Sequence, residues 1–105
     1  AKNFVDQDGN PAGGYVTMDH VSPNAMTIHW QVGPLGRPPN RLSPNGAFVE
    51  PVIAAALQRL QFYQHSKFRC TENVRAIFNL EQALNALQQR TAARDQRGVE
   101  GTYEV

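Results

Sequence analysis

Between Met26 and Val32 apolar and polar residues alternate, with Met26, Ile28, Trp30 and Val32 on one parity and Thr27, His29 and Gln31 on the other. A repeat of two is the signature of a half-buried strand, and it predicts one over residues 25–32. The preceding stretch from Gly14 to Val21 is also β-prone, and Ser22-Pro23-Asn24 supplies a turn, so an antiparallel hairpin is expected here. Residues 3–14 add a short strand before an Asp8-Gly9 turn, with Gly13 and Gly14 placed for a bend or bulge.

After Gly46 the repeat lengthens. Val49, Val52, Ile53, Ala56, Leu57, Leu60 and Tyr63 recur at three- and four-residue steps, which predicts a helix over 47–64, with Asn45 as a candidate cap and Pro51 in the first turn. A second stripe follows through Cys70, Asn73, Ile77, Leu80, Leu84, Leu87, Thr91 and Arg94. It predicts a helix over 71–97, capped at Ser66 or Thr71, stopped by Gly98 and ~40 Å long. Two helices on a short link form an antiparallel hairpin. Between sheet and helices, Gly33 to Gly46 holds four prolines and three glycines, which excludes a continuous helix or a central strand. The expected organisation is one α+β domain: a β region at 1–33, a Pro/Gly-rich loop at 34–46, the two helices, and a tail at 98–105. Arg37 and Arg41 lie in the loop, where solvated cations are the plain alternative to a binding role.

The second helical stripe is apolar only in its middle. Asn73 sits near its start, where a register-setting or helix-start asparagine is the alternative to a ligand contact. Arg90, Arg94 and Arg97 crowd its end. Arg90 and Arg94 are one turn apart and repel unless an anion lies between them. No acid stands four residues ahead of either, since those positions are Ala86 and Arg90, and only Asp95 is close. Cations favoured by the helix dipole are the competing explanation. Tyr63 and Asn73 are expected at the loop end of the hairpin, about 25 Å of helix from the arginines, too far for one small ligand to span within one subunit. Two subunits pairing their long helices antiparallel about a two-fold axis would bring opposite ends together and cover the leucine seam. The site would then be composite.

Composition narrows the classes. The 105 residues allow one domain, and 41% hydrophobic with 18% charged residues indicates a folded chain. A net charge of +1 leaves phosphate affinity to local clustering, although eight of the ten cations are arginine, the better partner for phosphates and base faces. Glu72, Glu81, Asp95, Glu100 and Glu104 on and after the second helix weigh against a nucleic-acid polymer. A pure assembly module remains the other alternative. His20, His29 and His65 are scattered, and the single cysteine, Cys70, is expected to pack as a small hydrophobe. Without a nucleophile–base pair, paired carboxylates or a ligand cluster, no catalysis, cofactor or metal is expected. One cysteine, the lack of a leader-like start and the lack of a long apolar run give the expectation of a soluble protein in a reducing cytoplasm.

The segment from Phe68 to Thr102 resembles the C-terminal helical hairpin shared by the phage anti-CBASS and Thoeris anti-defence proteins, the cyclic-nucleotide sponges. The likeness rests on Cys70-x-x-Asn73, Leu80-Glu81-x-Ala83-Leu84, Arg90-Thr91, Arg94, and Arg97-Gly98-Val99-Glu100-Gly101-Thr102. The β region ahead of the helices is closer to the Thoeris anti-defence branch. The resemblance implies a non-enzymatic sink for immune signals in the infected bacterial cytoplasm. The signals would be cyclic ADP-ribose isomers and, in some members, cyclic di- or trinucleotides. It also implies homodimers assembled into hexamers. Tyr63 would stack a base, standing where the family has phenylalanine; Asn73 would read its edge; Arg90 and Arg94 would hold phosphates; Arg37 and Arg41 fall where a basic loop closes over the ligand.

Overall fold

A computed structural model of the protein describes residues 2–17 and 26–105. The expected Ser22-Pro23-Asn24 turn, the residues from Met18 to Val21 and His20 among them lie outside the described residues. Ala1–Phe48 together with Arg97–Val105 form one compact unit, and Val49–Gln96 form another.

The first unit carries a three-stranded antiparallel sheet of β1 (Lys2–Val5), β2 (Pro11–Thr17) and β3 (Thr27–His29), in the order β1-β2-β3. The alternation read from the sequence holds through Trp30: Met26, Ile28 and Trp30 are partly buried, whereas Thr27 and His29 are exposed. It fails at Val32, which is 55% exposed. There the strand gives way to an isolated antiparallel bridge with Ala12, and the Asn45 side chain takes both the Val32 N–H, at 2.9 Å, and its carbonyl, at 3.0 Å.

Between β1 and β2 the chain turns around Asp6. Its carboxylate accepts the backbone N–H of Asp8 and of Asn10, each at 2.9 Å, while the Asp6 N–H donates to the Asn10 carbonyl. These donors, led by the Asn10 N–H, hold the Asp6 carboxyl below its ordinary range. The β1–β2 register shifts between Asn3 and Val5, and Gly14 lies under β1 so closely that a Cβ would stand 2.2 Å from the Lys2 carbonyl oxygen. On the exposed face Phe4 meets Tyr15 edge-on at 6.2 Å, and Tyr15 pairs with His29 across the strands.

The proline-rich segment is a folded element. It returns to the sheet through Ala47, whose N–H donates to the His29 carbonyl and whose carbonyl accepts from Gln31. Leu35, the one buried hydrophobic residue among those described, sits in it and accepts the Leu42 N–H at 2.7 Å.

The second unit is an antiparallel pair of helices, α1 (Val49–Gln64) and α2 (Thr71–Gln96). Thus the fold is the expected α+β arrangement of an N-terminal antiparallel sheet and a two-helix hairpin. The Gln64 amide donates to the Cys70 carbonyl at 3.0 Å and accepts the Cys70 N–H at 3.1 Å, so one side chain closes the connection as a strand partner would. Cys70 accepts the first helical N–H, from Val74, whereas Ser66 bonds the end of α1 through Tyr63. Cys70 itself is exposed, not packed as the sequence led one to expect.

Neither helix buries a residue completely. The partly buried positions of α2 are Asn73, Ala76, Ile77, Leu80, Leu84, Leu87 and Arg94, which follow the seam read from the sequence; Thr91 is exposed. On α1 they are Glu50, Val52, Ile53, Leu57, Leu60 and Gln64. Three residues expected on that face, Val49, Ala56 and Tyr63, lie on the exposed side, because two facing helices cover a narrower stripe than a sheet or a third helix would. Among the described residues no helix is long and apolar enough to cross a membrane.

Candidate functional site

In the first unit both loop arginines converge on Glu100. Arg41 grips its carboxylate with two nitrogens, Nη2 to Oε1 at 2.9 Å, and also donates to the Gly36 carbonyl at 3.2 Å. Arg37 donates to the Glu100 backbone carbonyl at 3.3 Å and stands 3.9 Å from its carboxylate. A carboxylate held by a planar guanidinium fork has the geometry that guanidinium also uses for phosphate. The backbone locks the same place: Gly36 N–H donates to the Gly101 carbonyl at 2.7 Å, and a Cβ on Gly101 would stand 2.4 Å from the Gly36 oxygen. Gly101 has φ +81, a conformation that glycine tolerates and alanine does not. Sequence reading placed Glu100 in a motif without giving it this role; the signal was the Arg-Gly-Val-Glu-Gly-Thr run following a loop with two arginines.

In the second unit, the loop end of the hairpin presents Tyr63 and Asn73. Tyr63 is 38% exposed in the last turn of α1. Asn73 is partly buried in the first turn of α2 and reaches the Phe68 carbonyl at 3.4 Å, a long bond that leaves most of its amide capacity for another partner. Arg59 was not singled out from the sequence. Its guanidinium lies 5.0 Å from the Tyr63 ring centre and 5.1 Å from that of Phe62. The signal was its spacing, three and four residues ahead of two aromatics on a helix. Exposed Phe62, Phe68, Val74 and Phe78 add apolar surface to this unit.

Arg90 and Arg94 occupy the other end. Arg90 is exposed and has no hydrogen-bond or ion-pair partner among the described residues; Arg94 is partly buried and engaged within the chain. Thr91 between them turns inward to its own helix, its hydroxyl donating to the Leu87 carbonyl at 3.1 Å. Since α2 is unbroken from Thr71 to Gln96, Asn73 and Arg90 stand ~25 Å apart along it. One hairpin therefore does not bring its aromatic end and its cationic end to the same small molecule. Among the described residues no group of three or more His, Cys, Asp or Glu is arranged to hold a metal ion.

No protein-family model matches the chain. It is 44% identical over 89 residues to the Thoeris anti-defense 1 protein of Bacillus phage SBSphiJ7. The match takes in 85% of this chain and 60% of the length of that relative.

Proposed function

We propose that the chain, a relative of the Thoeris anti-defence proteins, blocks Thoeris defence by sequestering a cyclic nucleotide signal, without turning it over, in the cytoplasm of the infected host. The ligand class is the cyclic ADP-ribose isomers, with cyclic di- and trinucleotides as further candidates. The observation that carries this reading is the division of the candidate binding groups between the two ends of one helical hairpin. Tyr63 and Asn73 lie at one end, Arg90 and Arg94 lie at the other, and a partly exposed leucine seam runs between them. Two copies paired antiparallel would cover the seam and build two sites, each taking its base-binding end from one protomer and its phosphate-binding end from the other. Higher assembly to a hexamer would repeat such sites.

Each group has a task suited to its chemistry. The Tyr63 ring would stack an adenine, an interaction worth roughly 1–3 kcal/mol, and the Asn73 amide would pair with the base edge. Arg90 and Arg94 would clamp the phosphates, which also removes the repulsion between two cations one turn apart. Arg37 and Arg41, whose forks hold Glu100, could take a ligand phosphate as an alternative acceptor. Capture at one-to-one stoichiometry requires slow release, which a loop closing over the ligand provides.

Calorimetric titration against cyclic ADP-ribose isomers, cyclic dinucleotides and cyclic trinucleotides tests this reading when the ligand is recovered by heating and checked by chromatography. Tight binding of one class with intact recovery is expected. Conversion of the ligand, or no heat from any member, would overturn it.

A further inference from the structure

We propose that Arg59 is a further ligand-binding residue: its guanidinium, placed beside Phe62 and Tyr63, supplies a phosphate contact at the base-stacking end of the site. The inference rests on the sequestration reading above and extends it to a residue outside the Arg90/Arg94 clamp.

Three observations converge on it. Arg59 is the one cation of α1, whose one acid, Glu50, is nine residues upstream. Positions three and four residues away on either side are Ala55, Ala56, Phe62 and Tyr63, so nothing on its own helix neutralises it, and it has no ion pair or hydrogen bond among the described residues. Its guanidinium nevertheless has a defined place, 5.0 and 5.1 Å from two ring centres, inside the roughly 6 Å range of a cation–π contact. The two rings are tilted by 59° with centres 6.4 Å apart, so they flank the cation instead of stacking on each other.

Such contacts use the π-faces and leave the N–H donors of the guanidinium edge for an acceptor. The ring that would stack a base is thus the ring that positions the cation. A base on Tyr63 carries its ribose and phosphate outward by one nucleotide length, within the sweep of a side chain one helical turn away. The matching ligand is a nucleotide with phosphate close to a planar base; a neutral nucleoside would use the ring and gain nothing from Arg59.

The test compares wild type with Arg59→Lys, Arg59→Met and Tyr63→Ala by titration with cyclic ADP-ribose isomers and cyclic di-AMP, at low and at physiological salt. Arg59→Met keeps an unbranched apolar stem on the rings and removes the charge. It is expected to bind at least tenfold more weakly than wild type and to lose part of the salt dependence, with Arg59→Lys in between. Arg59→Met within twofold of wild type, with unchanged salt dependence while Tyr63→Ala loses binding, would overturn the phosphate role and leave the sequestration reading standing. Wild type binding neither probe class would remove that reading and this inference together.

Discussion

The two units of this chain are held by different means. In the first, side chains and backbone close long-range contacts: Glu100 on two arginines, Asn45 on Val32, Ala47 on the edge of the sheet, Gly36 on Gly101. In the second, two helices share an apolar seam in which no residue is fully buried. A 48-residue hairpin with that little covered surface gains little from its own packing against the entropy of ordering it. The comparison teaches where the proposed second copy would act. The first unit ties its loop to its sheet and tail through polar contacts, whereas the second keeps several large apolar side chains and the cation Arg90 exposed.

The comparison is broken most severely by charging the seam. Leu80→Lys with Leu84→Lys is expected to convert the assembly to monomer, read by sedimentation velocity, and to weaken ligand binding by more than ~100-fold, since both halves of the composite site separate. A dimer that survives these changes would place the contact elsewhere.

Next in size is the closure of the first unit. Gly101→Ala forces a Cβ against the Gly36 carbonyl at a positive φ, and about 2–4 kcal/mol of destabilisation is expected. Trp30 lies in this unit, so its fluorescence in a urea titration reports the loss, and helical ellipticity reports the hairpin separately. Glu100→Gln keeps the shape and removes the charge that Arg41 and Arg37 share. Because the pair is partly exposed, with relative exposures of 36% and 23%, its loss is expected to cost no more than ~1 kcal/mol, measured by the same fluorescence. If the loop arginines exchange this carboxylate for a phosphate, the variant binds ligand as tightly as wild type or more so.

The smallest effect concerns Asp6. Its carboxyl is held below the ordinary value of 3.8 by N–H donors that bind the ionised form, so its contribution is complete above that value and is lost as pH falls through the lower folded one. Asp6→Asn should therefore flatten the acid limb of the first unit's stability between pH 5 and 2 on the order of what one exposed carboxylate gives, and leave the profile above pH 6 unchanged. Comparing Trp30 fluorescence melts of wild type and variant across that range decides it.

What could be read from sequence follows the same division. The hairpin was legible because its seam is a local pattern: Asn73, Ile77, Leu80, Leu84 and Leu87 repeat along one helix and need no distant partner to be seen. The strand through Ile28 and Trp30 was legible for the same reason. The loop was not, because what folds it is separated in sequence: Arg41 and Glu100 are 59 residues apart, and Asn45 reaches back 13 to Val32. Glu100 read alone was one acid among several. Tyr63 was counted with the core face by its spacing, yet with Val49 and Ala56 it is an exposed member of that set, and Arg59 emerged only when the rings beside it had positions.

The most direct test of the central claim, that each site is shared between two copies, is complementation. One variant carries Tyr63→Ala with Asn73→Ala, the other Arg90→Ala with Arg94→Ala. Each alone is expected to be silent in calorimetry while keeping its oligomeric state. Unfolded together and refolded as an equal mixture, they should regain about a quarter of the wild-type capacity at wild-type affinity, since half the pairs are mixed and each mixed pair holds one intact site. A mixture as silent as its parts would contradict the shared site.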